Sequence, residues 1–551
     1  MDQCYFKDDN ARCHVSRADD NVCRLDWPTQ NPDLNPIEYL WDNLECRGID
    51  TLQKFLHFVV KMYGDKNCLG TRQILSEDDE LQPNGRVFKK YTMGDYEWKS
   101  FHVFEEEAGS FGRGLRILGQ EPFMNIAIFA ETRAEWMVAA HGCFKQNIPR
   151  EVAPKTEDTA IIMYTSGSTG TPKGVLLSHK NIMSTMKAFS DAVDIVDSDV
   201  FMGYLPLAHV FELLTECVCL MYGVGIGYST PLTMMDTSSK IKKGSKGDAT
   251  VLKPSLLTSV PLILDRITKG VNDRISKSSG LQRELFRFAF EYKRAWTRQG
   301  FKTPLINRLV FGKIRQMLGG RIRLVLCGGA PLAQDTHEFI KVCLCVEITP
   351  GYGLTETCSG ATILDIAART TKNSRFTEGP STKKCLEVFS KRIRLTAVPR
   401  RAWPCIVRCV GCCSRVWERR EMSFCREAGM GVFDMSTGRV GNPTTETDIR
   451  LVDWQEGNYT VKDKPYPRGE LVIGGDHVSL GYYKLPDKTN EEFFQDAGHQ
   501  WFKSGDIAEL HPDGVFTIIE MVQWWKSLIQ AAGMEEPWQS AEVDFLQASG
   551  C

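Results

Sequence analysis

Tyr164-Thr-Ser-Gly-Ser-Thr-Gly-Thr-Pro-Lys-Gly174 is the stretch on which the fold turns. It follows Thr159-Ala-Ile-Ile-Met-Tyr, whose apolar run reads as a buried strand. Gly167, Gly170 and Gly174 let the backbone come close to an anion. Thr165, Ser166, Ser168 and Thr169 offer hydroxyls beside free backbone N–H groups, and Lys173 adds a positive charge. The order differs from a Gly-x-x-x-x-Gly-Lys-Ser/Thr loop, because Pro172 precedes the lysine and Gly174 follows it. A strand that ends in a polar, glycine-rich loop with one lysine is built to receive a polyphosphate.

Outward from this loop, residues 156–365 alternate strands with helices. Arg323-Leu-Val-Leu-Cys is another strand followed by Gly-Gly. Such alternation predicts an α/β fold with parallel sheets covered by helices, and ligands at the strand ends. Upstream, Ile126-Ala-Ile-Phe reads as a buried strand, and 132–143 as a helix capped by Thr132 with Glu135 three residues on. Downstream, 432–519 carries short alternating runs such as Glu470-Leu-Val-Ile, which predict β structure.

Composition narrows the function classes. The chain has 551 residues, 42% hydrophobic and 25% charged, as a globular protein does. Its net charge of −2 argues against a protein built mainly to hold nucleic acid. The 19 cysteines are scattered and odd in number, and Met1-Asp-Gln-Cys-Tyr has no signal-like character, so a reducing compartment is expected. The most apolar stretch, 211–228, is interrupted by Glu212 and Glu216. No run reaches the roughly 18 uninterrupted apolar residues of a membrane span.

With these motifs in view, the sequence resembles the adenylate-forming ligases, and among them the long-chain fatty acyl-CoA synthetases. The resemblance covers about 48–149, 155–365 and 432–519. Beyond the loop it rests on Gly48-Ile-Asp-Thr-Leu, Leu81-Gln-Pro-Asn-Gly, Glu131-Thr-Arg-Ala-Glu-Trp, Tyr204-Leu-Pro-Leu-Ala-His-Val-Phe-Glu and Lys242-Lys-Gly-Ser-Lys-Gly-Asp. It rests further on Gly328-Gly-Ala-Pro-Leu, Gly351-Tyr-Gly-Leu-Thr-Glu-Thr, Thr437-Gly-Arg-Val-Gly and Lys503-Ser-Gly-Asp-Ile.

The resemblance implies the large domain of that fold, with layered parallel sheets, helices and a small β subdomain. It implies a two-step reaction: fatty acid and Mg-ATP give an acyl-adenylate and pyrophosphate, and coenzyme A then displaces AMP. Like-charge repulsion between carboxylate and triphosphate has to be offset by donors and a metal. By the same resemblance, residues 165–174 hold the β- and γ-phosphates. Gly328, Gly329 and Ala330 line the adenine pocket, with Tyr352 against the base. Thr355 binds the α-phosphate, Glu356 holds Mg2+, His209 gates the acyl carboxylate, and Asp506 takes both ribose hydroxyls. On the residues alone, each has a plainer alternative. Gly328-Gly-Ala reads as a strand-to-helix turn, Glu356 as a surface charge, His209 as a satisfied histidine at a helix start, and Asp506 as a turn aspartate. The expected address is an endoplasmic reticulum or other intracellular membrane surface, cytosolic face, by peripheral association; with no spanning segment, a cytoplasmic chain is the alternative.

Four departures from the family pattern carry expectations of their own. After Cys143-Phe-Lys-Gln-Asn-Ile-Pro149 the chain passes directly to Arg150-Glu-Val-Ala-Pro, which omits several tens of residues and part of one sheet layer. Residues 366–431 are basic and aperiodic; 366–430 holds fifteen Lys/Arg against five Asp/Glu, and Cys405, Cys409, Cys412 and Cys413 lack the paired spacing of a zinc site. From 520 the sequence reads as an unrelated tail in place of the hinge and small C-terminal domain, whose lysine serves adenylation and whose swing serves thiol transfer. Residues 1–47, with Phe6-Lys-Asp-Asp-Asn-Ala-Arg-Cys-His and Leu25-Asp-Trp-Pro-Thr-Gln-Asn-Pro-Asp-Leu-Asn-Pro-Ile-Glu-Tyr-Leu-Trp, resemble the end of a mariner-type transposase without a core of its own. The expectation is an impaired ligase, with two rivals: a pseudo-ligase that binds nucleotide or acyl-adenylate, and a nucleic-acid-binding remnant.

Overall fold

In the computed structural model, the described residues are 41, 44, 47–81, 87–121, 124–146, 154–165, 172–297, 303–364, 438–496, 498–512 and 514–521. The central element is a nine-stranded sheet in the order β11-β10-β9-β8-β7-β5-β6-β1-β2. Its strands are β1 (Asn67–Leu81), β2 (Val87–Ser100), β5 (Val200–Gly203), β6 (Gly225–Tyr228), β7 (Leu256–Ser259), β8 (Leu324–Cys327), β9 (Glu347–Tyr352), β10 (Thr362–Ile363) and β11 (Asn442–Pro443). The run from β1 through β6, β5, β7 and β8 to β9 is parallel, as the alternating sequence predicts. Antiparallel pairs close both edges. The fold is α/β.

The helix Val210–Met221 runs through the core, and all of its residues are buried, Glu212 and Glu216 included. Burial of each of its large apolar side chains contributes about 1.5–3 kcal/mol. The two glutamates therefore do not break the apolar stretch; each is accommodated by hydroxyl donors, Thr258 for Glu212 and Tyr228 for Glu216.

A second, antiparallel sheet joins β12 (Asp448–Val452), β13 (Arg468–Gly474), β15 (His499–Leu510), β14 (Phe493–Asp496) and β16 (Phe516–Met521). This is the β-rich end of the domain. β16 runs two residues past 519, pairing Glu520 with Ile507 and Met521 with Asp506. Trp41 and Leu44, helical and buried, pack into the core, and Ile49 donates its N–H to the Leu44 carbonyl at 2.9 Å. The remainder of residues 1–47, the stretch 366–431 with its cysteines, and the residues beyond 521 lie outside the described residues, and with them the transposase, insertion and tail expectations.

Three local expectations are corrected. Residues 126–129 form no strand, and Phe129 is fully exposed. A strand needs a ladder partner, and among the described residues none lies beside this segment. Thr132 does not cap the helix Ala134–Gln146; its hydroxyl donates to the Leu205 carbonyl at 2.7 Å and accepts from Leu207 N–H. The strand before the glycine-rich loop, β3 (Thr159–Thr165), is half-exposed, with only Met163 buried, and pairs antiparallel with β4 (Lys173–Ser178) outside the main sheet. No helix among the described residues is long and apolar enough to cross a membrane.

Candidate functional site

β4 fixes the geometry of the site. Its two ladders face β3 on one side and the segment 480–483 on the other. Leu176 N–H donates to the Gly481 carbonyl at 2.9 Å, and Tyr483 N–H to the Gly174 carbonyl at 2.7 Å. Gly174 permits the close approach to β3, since a Cβ there would stand 3.0 Å from Ile162 Cγ2. This register lays Tyr482 beside Lys173, whose ammonium lies 4.8 Å from the ring centroid. Lys173 is buried, and its Nζ pairs with Glu492 Oε1 at 3.2 Å, a carboxylate that also takes Lys488 at 3.0 Å.

The next contacts reach the central sheet. β9 ends at Tyr352, and a short 3-10 turn, Thr355–Thr357, follows it. Glu356 in that turn is buried, and its carbonyl accepts from Ser479 N–H at 2.8 Å. The Tyr482 hydroxyl donates to Glu356 Oε1 at 2.9 Å and also meets Glu492 Oε2. Burial raises the proton affinity of Glu356; Glu492 adds to the rise and Lys173 opposes it. A cation against this carboxylate would favour its ionised form.

Asp506 arrives from β15. Its Oδ2 accepts from the Tyr352 hydroxyl at 2.7 Å, and its N–H donates to Ser504 Oγ at 3.0 Å. Burial pushes its carboxyl up to about 7, against the Tyr352 hydrogen bond and with help from Glu356 and Glu470. Lys173 and Glu356 are thus joined through Tyr482 and Glu492, Tyr352 is bonded to Asp506, and the charge of Glu356 reaches Asp506 to make one cluster, with Thr355 beside Glu356 in the chain.

The other expected residues stand at the carboxyl ends of neighbouring parallel strands, where open α/β sheets hold ligands. Gly328 follows β8, bonds by its N–H to the Ser259 carbonyl at 3.2 Å, and lies against Phe211 and the Gly351 carbonyl. Gly329 has φ +82°, a conformation that favours glycine, and Ala330 is exposed. His209 is exposed and caps the helix Val210–Met221, its Nδ1 accepting from Phe211 N–H at 3.2 Å. That is the helix-start role its sequence position also allowed, and no hydrogen bond joins it to the Lys173 cluster. Thr165 ends β3 and Lys173 and Gly174 begin β4, whereas Ser166, Gly167, Ser168, Thr169 and Gly170 lie outside the described residues.

Two members of the cluster, Tyr482 and Glu492, were not anticipated. Lys173 and Glu492 are 319 positions apart, so no local spacing announces their contact. The signal that was present is Tyr482-Tyr-Lys-Leu-Pro followed by Glu491-Glu492, a strand-like pair of aromatics before a short acidic helix.

Comparison with known proteins agrees with this architecture. The family model described as AMP-binding enzyme matches residues 76–150 and 145–386, together more than half of the chain. Long chain acyl-CoA synthetase 8 of Arabidopsis thaliana is 31% identical over 567 residues, 86% of this chain and 70% of the relative. Fatty acyl-CoA synthetase B of Dictyostelium discoideum is 27% identical, over 88% of this chain and 71% of the relative. Among solved structures, the Mycobacterium tuberculosis fatty acyl CoA synthetase superposes with a TM-score of 0.50 at 15% identity, over 86% of this chain and 79% of that one, and shows the shared fold. With the fold, the family match and the named relatives in agreement, the chain belongs to the AMP-binding enzyme family, as a homologue of the long-chain acyl-CoA synthetases, which are ligases.

Proposed function

We propose that the chain activates a long-chain fatty acid with Mg-ATP as an acyl-adenylate, for transfer to coenzyme A. The observation that carries this reading is the cluster of Lys173, Glu356, Tyr352 and Asp506, drawn from strands hundreds of positions apart. One ATP would touch all four. The triphosphate lies toward Lys173 and the loop before it, the α-phosphate toward Thr355, the ribose at Asp506, and the base against Tyr352 and the Gly328-Gly-Ala turn. His209, at the mouth of β5, faces the acyl carboxylate.

Buried Glu356 offers the hard oxygen that Mg2+ prefers, and a cation beside it would favour the ionised form that burial disfavours. These residues fit the ion, which when bound would offset the triphosphate's negative charge. The chain's own part is to orient. Lys173 presents its ammonium from a buried ion pair, and Asp506 accepts the two ribose hydroxyls in place of part of its Tyr352 bond. Tyr482 steadies Glu356. Desolvation within this cluster strengthens each of these contacts.

Formation of acyl-CoA from a radiolabelled long-chain fatty acid, ATP and coenzyme A tests the reading. Product dependent on all three supports it. Tight nucleotide binding with neither adenylate nor thioester identifies a binding module instead.

A further inference from the structure

On the inner side of the helix Gly280–Thr297, Phe286 packs on Phe311 and Phe290 on Phe339, and Ala289 and Lys293 are buried. Lys293 is only 4% exposed, whereas lysine is seldom buried unless it is paired. Among the described residues no carboxylate pairs with it. The acids nearby are spent elsewhere: Glu291 and Glu338 take Arg294, and Glu347 takes Lys341. The Lys293 ammonium instead donates to the Val342 carbonyl at 2.6 Å and to Cys345 Sγ at 2.8 Å, with the Phe311 ring centroid 5.0 Å away.

Val342 lies in the last turn of the helix Gln334–Leu344, where carbonyls lack partners within the helix. Capping of that helix end accounts for the first contact but not for the second. Cys345 closes the helix at φ 55° and ψ 43°, the left-handed conformation in which glycine is the ordinary residue. A cysteine there bears backbone strain that glycine would escape, and it sets its sulfur against an amine 52 positions away. The other described thiols differ. Cys143 is half-buried like Cys345 but has no lysine hydrogen-bonded to it, and the rest are buried. Burial also lowers the proton affinity of Lys293; Cys345 opposes the fall and Arg315 adds to it. A buried amine that yields its proton more readily is a nucleophile.

We infer that Lys293 and Cys345 form a modification site, at which a hydroperoxide oxidises the thiol and the amine closes on it to give a covalent Nζ–Sγ link. Sγ attacks one peroxide oxygen and the O–O bond breaks. The sulfur gives two electrons to the peroxide, and the thiol proton leaves with the departing oxygen as water or an alcohol. The sulfur is then a sulfenic acid, a group that condenses with a neighbouring nitrogen. Nζ, as the neutral amine, attacks it. The S–O bond breaks, the N–S bond forms, and the hydroxyl leaves with an amine proton as water. The link fastens the helix Gly280–Thr297 to the turn from which β9 departs toward Tyr352. It is independent of the ligase reading.

The test treats the full chain with hydrogen peroxide, without ATP or fatty acid, then alkylates free thiols, digests the chain and weighs the peptides. The expected product joins the peptides that carry Lys293 and Cys345, is lighter than their sum by two hydrogens, and is parted again by dithiothreitol. The link is expected to vanish in Cys345→Ser and in Lys293→Met, and dimedone should trap the sulfenic acid of Cys345 in the latter. Should Lys293→Met unfold by circular dichroism, wild-type chain unfolded in urea before the peroxide is the second comparison, and it is expected to give no link. Sulfinic acid at Cys345 or a Cys343–Cys345 disulfide in place of the link overturns the inference. So does a link that forms equally in urea, or one that survives Cys345→Ser.

Discussion

The Tyr352 hydroxyl donates a 2.7 Å hydrogen bond to Asp506 Oδ2, across 154 positions of sequence. It ties the last residue of a central parallel strand to the β-rich end of the domain, and in the proposed function it sets the ribose acceptor beside the ring against the base.

That pairing has a pH signature. Burial holds the Asp506 carboxyl up at about 7, above its ordinary value. The folded chain binds this proton more tightly than the unfolded one. The associated stability is complete below the ordinary aspartate range and is lost as pH rises through about 7. Nucleotide affinity runs the other way, because an ionised acceptor holds ribose hydroxyls more strongly. Calorimetric titration of ATP between pH 6 and pH 8 should show affinity rising, roughly around that midpoint. Asp506→Asn should flatten the profile and cost about 1.5–3 kcal/mol of nucleotide binding at the alkaline end.

Lys173 is predicted to matter more for chemistry than for folding. Lys173→Ala removes one partner of Glu492, but Lys488 remains 3.0 Å from the same carboxylate. The stability loss should stay at about 1–2 kcal/mol, below the usual cost of stranding a buried charge. Adenylation should lose about 2–4 kcal/mol of transition-state stabilisation, and Glu356→Ala a similar amount. Denaturant melts and single-turnover adenylate formation separate the two effects.

Much of this site was legible in the sequence, and the rest shows what sequence leaves out. Gly328-Gly-Ala could be placed at a strand end because the apolar run Arg323-Leu-Val-Leu-Cys precedes it, whereas Tyr352 and Glu356 came only through the family resemblance. Ile126–Phe129 has the composition of a strand but is none, since a strand is defined by its neighbour and not by its own residues. Thr132 has the side chain of a cap but spends it on Leu205. Tyr482 and Glu492 complete the Lys173 cluster from beyond three hundred positions, a contact only the folded register of β4 creates.

The buried pair Glu212 and Glu216 should make the core sensitive to alkali. Burial raises Glu212 to about 8 and lifts Glu216 well above the ordinary glutamate value, Glu212 adding to the latter. Glu212 accepts from Tyr204 N–H at 3.0 Å and Thr258 at 2.6 Å, and Glu216 from Tyr228 at 2.8 Å. Because both values are raised, the stability these groups contribute is lost as pH rises through about 8 and beyond. Thermal melts should show Tm falling from pH 7 to pH 9, and less steeply in Glu216→Gln, which keeps an acceptor for Tyr228 without the charge.

Gly441 joins the two sides of the 365–437 segment, and its substitution should unfasten them. It has φ +94°, and a Cβ there would fall 2.0 Å from the Ile363 carbonyl carbon. Gly441→Ala combines backbone strain with a clash in the β10–β11 pairing. A loss of about 2–4 kcal/mol in chemical denaturation is expected.

The most direct test is exchange of radiolabelled pyrophosphate into ATP, which reads adenylation alone and is blind to thioester formation. The gathering of Lys173, Glu356, Tyr352 and Asp506 into one cluster predicts exchange that requires a long-chain fatty acid and Mg2+ and is abolished in Glu356→Ala. Absence of exchange from a folded chain supplied with both, or exchange indifferent to the fatty acid, would contradict it.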